Sequence, residues 1–171
     1  MTLTDAQIDR YSRQIIVPRI GGRGQERILA ARMLLVGDAC DIEVPRAYLA
    51  GAGVGKIVTV ADQSPGRFDL ALAIIGTEAA RKIANEIVGQ CDVQALIIAR
   101  LDAPGRIAIV TDRHSVDTSM LTGVETRSEA ADFIAMLATA EAFKLLAGYA
   151  DTPSPAMIDF DGYQTRTRVH P

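Results

Sequence analysis

Residues 33–60 read MLLVGDACDIEVPRAYLAGAGVGKIVTV. Two short apolar runs, Met33–Val36 and Ile57–Val60, bracket a loop from Gly37 and a helix-like stretch over Val44–Ala52. Strand, loop, helix and strand in so few residues make a βαβ unit close to its minimum length. Such a crossover returns the chain to the end of the sheet it left, so it builds parallel sheets.

The flanking sequence extends this pattern. Upstream, Thr4 and Gln7 have the spacing of a capping box opening a short helix. Ile8, Tyr11 and Ile15 share one face of it, with Arg10 and Arg13 elsewhere on its surface, and Pro18 with Gly21-Gly22 ends it. A second short helix is predicted over Gln25–Ala31. Downstream, the turn Ser64-Pro65-Gly66-Arg67 leads to a strand at Leu70–Ile75, a helix at Thr77–Val88, and strands at Ala95–Ala99 and Ile107–Val110 around Pro104-Gly105. Thr111–Gly123 is polar and aperiodic and reads as a loop. Thr126–Leu146 is apolar on nearly all sides, through Phe133, Ile134, Met136, Leu137, Phe143, Leu145 and Leu146, so it is expected to be buried on more than one face. Gly148 caps it. Strands at Met157–Phe160 and Tyr163–Val169 flank Asp161-Gly162.

The prediction is one α/β domain over 1–171 with a Rossmann-like, doubly wound, mainly parallel sheet, helices on both faces and an antiparallel C-terminal portion. Its parts are an N-terminal helical arm (1–32), the core (33–110), a loop (111–125), and a long helix with C-terminal strands (126–171). Apolar residues make up 49% of the chain with few aromatics, which suits helices on a parallel sheet better than a β-sandwich. The net charge of −3 gives no reason to expect nucleic-acid or membrane binding. It is uneven, however: six arginines against Asp5, Asp9 and Glu26 make residues 1–32 net basic. Cys40 and Cys91 lie far apart without metal-like spacing, so two reduced packing cysteines are expected. The N-terminus lacks a signal-peptide core and no apolar run spans a bilayer, so a soluble, cytoplasmic protein is the expectation.

Several stretches narrow the reading. Arg10-Tyr11-Ser12-Arg13-Gln14-Ile15-Ile16, followed by Gly24-Gln25-Glu26 and the strand at Met33–Gly37, resembles the N-terminus of ThiF/MoeB and ubiquitin-activating-type adenylyltransferases. Ala50-Gly51-Ala52-Gly53-Val54-Gly55-Lys56 resembles that family's helix-to-strand turn. Phe68-Asp69-Leu70 with Arg81 and Asn85, and Ala140–Tyr149, resemble its central strand and last long helix. The resemblance implies an enzyme that uses ATP to adenylate the C-terminus of a small ubiquitin-like sulfur carrier. It also implies a glycine-rich nucleotide loop, acids for ribose and Mg²⁺, and an arginine donated by the partner subunit.

Measured against that pattern, much is missing. A phosphate loop needs glycines so that backbone N–H groups reach the anion. In Gly37-Asp38-Ala39-Cys40-Asp41-Ile42 only Gly37 fits, and Asp38 and Asp41 put carboxylates where phosphates would sit. Each close like-charge pair costs roughly 1 to 4 kcal/mol near a surface. The family's ribose acids fall on Ala61 and Gln63, with Asp62 between them. Asp62 reads as an exposed turn aspartate, or as a ribose ligand if the strand end shifts by one residue. The metal-binding acids fall on Ala73 and Gly76, and Glu78 reads as ordinary first-turn chemistry of the next helix. Only Ser64–Arg67 replace a long family segment that holds phosphate-contacting cations, and Lys56 and Arg67 match none of its motifs. The zinc-binding cysteine pairs and the crossover-loop cysteine are absent from the sequence.

Arg13 survives. The resemblance makes it a possible in-trans arginine finger; otherwise Arg10 and Arg13 form a solvated or interface-pairing helix face. Asp112, His114, Ser115 and Asp117 share one short loop and read as a polar loop rather than a triad. Arg166 and Arg168 read as the wet face of an edge strand. The expectation is a non-catalytic adenylyltransferase-like scaffold or partner subunit without cofactor, as a homodimer or beside an active paralogue or ubiquitin-like carrier. In that reading Gly37 and Asp62 mark a vestigial nucleotide site. The alternative is a minimal adenylyltransferase that uses ATP and Mg²⁺. An NAD-dependent oxidoreductase has little support, because the same glycines are missing.

Overall fold

The structure is a computed structural model that describes residues 2–62, 66–90, 92–110, 122, 126–148, 156–160 and 165–169. Seven strands form one sheet in the order β2-β1-β3-β4-β5-β6-β7: β1 (Arg32–Val36), β2 (Lys56–Thr59), β3 (Phe68–Ile75), β4 (Val93–Arg100), β5 (Gly105–Val110), β6 (Ala156–Phe160) and β7 (Thr165–Val169). The first four are mutually parallel, with Leu34 opposite both Val58 and Ala71, and Ala71 opposite Leu96. The last three add on antiparallel. This is the expected doubly wound sheet with an antiparallel C-terminal portion.

Burial on both faces explains why β3 reads as an unbroken apolar run. Met33, Leu35, Leu70, Leu72 and Ile74 meet α2 (Gly21–Ala30), α3 (Ala39–Gly51) and α5 (Ala131–Ala147) on one side. Leu34, Val36, Ala71, Ala73 and Ile75 meet α4 (Glu78–Gln90) on the other. α5 crosses the middle of its face and also touches α2 and α3, which accounts for its weak amphipathicity.

The N-terminal arm is docked by specific contacts. The capping box opens α1 (Asp5–Ile15): the Thr4 N–H donates to Gln7 Oε1 at 2.9 Å and the Gln7 N–H to Thr4 Oγ1 at 3.3 Å. The helix ends at Ile15, before Pro18, and Gly21 starts α2 rather than ending α1. Tyr11 turns inward onto Gly53, whose φ of 91° favours glycine and whose Cβ would sit 2.6 Å from the ring. Gln25 is fully buried, and its Nε2 donates to the Ala52 carbonyl at 3.0 Å. Arg27 donates to the Ala147 carbonyl at 3.3 Å. The motif residues of this arm therefore clasp the ends of α3 and α5.

Three predicted helix starts need correction, the first being α2, which begins at Gly21 rather than Gln25. α3 begins at Ala39, not Val44: Asp38 is the extended N-cap residue, and Asp41 sits in the first turn, where the helix dipole favours acids. Pro45 lies inside the helix, leaving the Asp41 carbonyl without its usual donor. α5 begins at Ala131, not Thr126, because residues 126–128 pair with Leu101–Ala103, just past the end of β4, instead. The Ala103 N–H donates to the Thr126 carbonyl at 3.0 Å and the Ser128 N–H to the Leu101 carbonyl at 2.7 Å. Cys40 is exposed rather than packed, since it occupies the solvent side of the first turn of α3. Cys91, Gln63, Asp112, His114, Ser115, Asp117 and the Asp161-Gly162 turn lie outside the described residues. β7 is an edge strand, as expected; nothing further is described of Arg166 and Arg168. Among the described residues no helix is long and apolar enough to cross a membrane.

Candidate functional site: the β1–β3 crevice

The chain leaves β1 toward β2 and leaves β3 in the opposite direction toward β4. Their connections diverge beyond the carboxyl ends of β1 and β3, the place where open α/β sheets bind ligands. Gly37 and Gly76 sit at that crevice. A Cβ on Gly37 would lie 2.6 Å from Ile42 Cγ2 and 2.7 Å from the Ile74 carbonyl oxygen, so this turn stays tight through backbone and aliphatic contact.

The crevice is lined by the chain's own charges. Asp38 does not cap its own helix; its Oδ2 accepts from Thr77 Oγ1 at 2.6 Å, tying the β1 turn to the start of α4. Asp41, with 1% of its side chain exposed, accepts from Arg127 Nη1 at 2.7 Å through Oδ1. Its Oδ2 is buried without a hydrogen-bond partner. Arg127 also donates to exposed Asp132 at 3.3 Å. Burial works against the Arg127 charge, but bonding and proximity to Asp41, then Asp132, more than offset it and raise its pKa. Gly76 lies directly beneath this pair: a Cβ there would overlap Asp41 Oδ2 and lie 2.9 Å from Arg127 Nη1. An antiparallel bridge between Asp102 and Arg127 sets the guanidinium at this position. Next to it, buried Arg100 donates to Asp102 through Nε at 2.9 Å and through Nη2, and to the Thr122 carbonyl at 3.1 Å.

A cleft of about 820 Å³ opens beside the crevice, between α3 and the ends of β1 and β2. Its floor is Leu35, Gly37 and Ile42, and Glu43, Arg46 and Thr59 edge it. Asp62 is not among the residues lining it. It ends the 3₁₀ turn Val60–Asp62, and its Oδ2 accepts from the Thr59 N–H at 2.6 Å and the Thr59 hydroxyl at 2.8 Å. Those two bonds hold the Asp62 carboxyl below its ordinary pKa range, helped by the nearby charges of Arg46 and Lys56.

The structure brings Gly37 to the crevice and Asp62 to the end of β2. Arg13 is elsewhere, exposed in the last turn of α1, and no contact among the described residues ties it to this crevice. Ala73 is buried in the α4-facing core and Gly76 under the ion pair, so neither expected metal position carries a ligand. Glu78 opens α4 and pairs with Arg81, with Arg81 Nε donating at 2.7 Å. Among the described residues no three His, Cys, Asp or Glu side chains are grouped to hold a metal ion. Both carboxylates of the β1 turn are bonded within the chain, Asp38 to Thr77 and Asp41 to Arg127, and among the described residues neither is arranged with a second acid as a Mg²⁺ ligand set. Sequence reasoning missed Arg127 and Thr77. Arg127 was hidden inside an apparent helix, although Ser128, whose Oγ accepts from the Ala130 N–H at 3.1 Å, is a start signal placed just beyond it.

No family model matches the chain. It is similar to the SAMP-activating enzyme E1 of Haloferax volcanii, 40% identical over 76 residues, which is 44% of this chain and 28% of that protein. The sulfur carrier protein adenylyltransferase of Thermus thermophilus is 44% identical over 61 residues, 35% of this chain and 22% of that protein. The chain thus spans about a quarter of these curated relatives, which are ThiF/MoeB-type adenylyltransferases. Among solved structures, E. coli MccB with succinimide matches with a TM-score of 0.66 at 11% identity, covering 94% of this chain and 71% of that one. PaaA matches with a TM-score of 0.58 at 14% identity, over 98% and 74%. At such identities these two matches bear on the fold alone.

Proposed function

We propose that this relative of ThiF/MoeB-type adenylyltransferases is a non-catalytic scaffold or partner subunit, working without a nucleotide cofactor. It engages a protein: a second copy, an active paralogue, or a ubiquitin-like sulfur carrier of the kind named for its relatives. The observation that carries this reading is the Asp41–Arg127 pair over Gly76, with Asp38 held by Thr77 beside it. A bound phosphate would have to break these bonds and approach two carboxylates, at roughly 1 to 4 kcal/mol per like-charge pair. Arg13 is exposed on an arm docked through other residues, which suits presentation in trans to a neighbouring active site.

Calorimetric titration with MgATP tests the reading. No saturable heat is expected up to millimolar nucleotide, and micromolar binding sinks it. The cleft beside α3, which Gly37 lines, favours one alternative, a minimal adenylyltransferase that holds ATP and Mg²⁺ there and recruits Asp62 from the end of β2. That reading requires ATP–pyrophosphate exchange with a carrier C-terminus and loss of exchange in Asp62→Ala. Absence of exchange against ubiquitin-like carriers removes it.

A further inference from the structure

The crevice has the parts of an oxyanion site, and one of them is already an anion. α3, a 13-residue helix, starts at the crevice just after Gly37 and Asp38, so its positive dipole end lies there, and Arg127 reaches the crevice from the segment before α5 with its side chain 45% exposed. Between them sits Asp41, bonded to Arg127 through one oxygen and buried without a partner at the other. Stability alone gives no reason for this arrangement, since a buried carboxylate oxygen lacking a donor is costly. Gly76 leaves the space the carboxylate occupies, and Asp38 is turned aside to Thr77.

We infer that Asp41 is a built-in substitute for an oxyanion, so that this one residue closes a phosphate-class binding site to external ligand. The inference rests on the proposed non-catalytic reading and names the residue responsible for the exclusion. Neutralising Asp41 removes the like charge and weakens its hold on the Arg127 donor, while the helix terminus remains.

The test is calorimetric titration of the full chain with sodium pyrophosphate at low ionic strength, comparing wild type with Asp41→Asn, Asp41→Ala and Asp41→Asn/Arg127→Gln. Thermal melting accompanies each titration as a check of the fold. Wild type is expected to show no saturable binding at millimolar pyrophosphate. Either single variant should bind at least tenfold more tightly, and the double variant should lose that gain. Single variants that fold but gain nothing overturn the inference, as does a gain that persists without Arg127. Loss of the fold in both single variants also overturns it, because a stand-in for a ligand is dispensable and a structural keystone is not. These failures leave the non-catalytic reading intact. That reading falls only if the wild-type protein itself binds MgATP.

Discussion

Gly76 and Gly51 are both glycines, and their surroundings make opposite demands. At Gly76 a methyl group would press on Asp41 Oδ2 and Arg127 Nη1, a carboxylate and a guanidinium held by each other and unable to swing away separately. Gly76→Ala is therefore expected to lose about 1–3 kcal/mol in urea unfolding, the usual cost of overpacking a tight site. Gly51 ends α3 with nothing near its missing Cβ, so Gly51→Ala should be neutral or more stable by up to about 1 kcal/mol. If the two substitutions shift the urea midpoint equally, the crevice is softer than its contacts indicate. Asp62 makes a prediction in pH. Its folded pKa is lowered by bonds from Thr59, so its contribution is present above the unfolded value and is lost as pH falls through the folded value. The wild-type melting temperature should thus drop more steeply below about pH 4 than that of Asp62→Asn. Parallel acid limbs for the two proteins would remove Asp62 as the lock on the end of β2.

At the level of elements, the sequence was legible wherever a local pattern and the tertiary packing ask for the same thing. β3 reads as a buried strand because both its faces are covered, and α1 reads as a helix because Thr4 and Gln7 cap each other. The misjudged starts of α3 and α5 occur where those demands part. Pro45 resembles a first-turn proline, yet the extended backbone of Asp38 sets the start at Ala39, five residues before the predicted Val44. Residues 126–128 look helical in composition, yet two hydrogen bonds to Leu101 and Ala103, just past β4, hold them out of the helix. The same split governs the site. Gly37 and the missing glycines are visible as letters, whereas the Asp41–Arg127 pair joins positions 86 residues apart and has no local signature. The capping box permits an element-scale test. α1 buries only Tyr11 fully, so Thr4→Ala should loosen α1 without unfolding the sheet. Amide exchange in residues 5–15 is expected to speed up by an amount equivalent to about 0.5–2 kcal/mol, with protection of β1 and β3 unchanged. Loss of protection in β1 would mean that the arm is integral to the core.

Across the whole molecule, exposed apolar side chains gather on one side of the sheet. Tyr48 of α3 is 64% exposed and Phe133 of α5 is 54% exposed, and Val44 and Ile16 are exposed as well. Between α1, α3 and α5 runs an apolar groove of about 360 Å³ lined by Gln14, Tyr48, Met136, Ala140 and Phe143. Large side chains left in water beside such a groove mark a contact surface more often than they serve stability. The neighbouring charges are complementary: Arg10 and Arg13 stand on the arm, and Glu43, Glu129 and Asp132 stand near Val44 and Phe133 in the chain. A partner subunit seated here would cover apolar surface and meet acids with its own basic arm, as the proposed reading requires for a second copy. Sedimentation velocity at micromolar concentration tests this directly. Wild type is expected to sediment with twice the chain mass, and Tyr48→Glu or Phe133→Glu should weaken self-association at least tenfold. The melting temperature of Tyr48→Glu at high dilution should match wild type, because that side chain is 64% exposed. A wild-type protein that stays monomeric at high concentration excludes the second copy and leaves this face to a different protein. Dimers untouched by both substitutions place the interface elsewhere on the molecule.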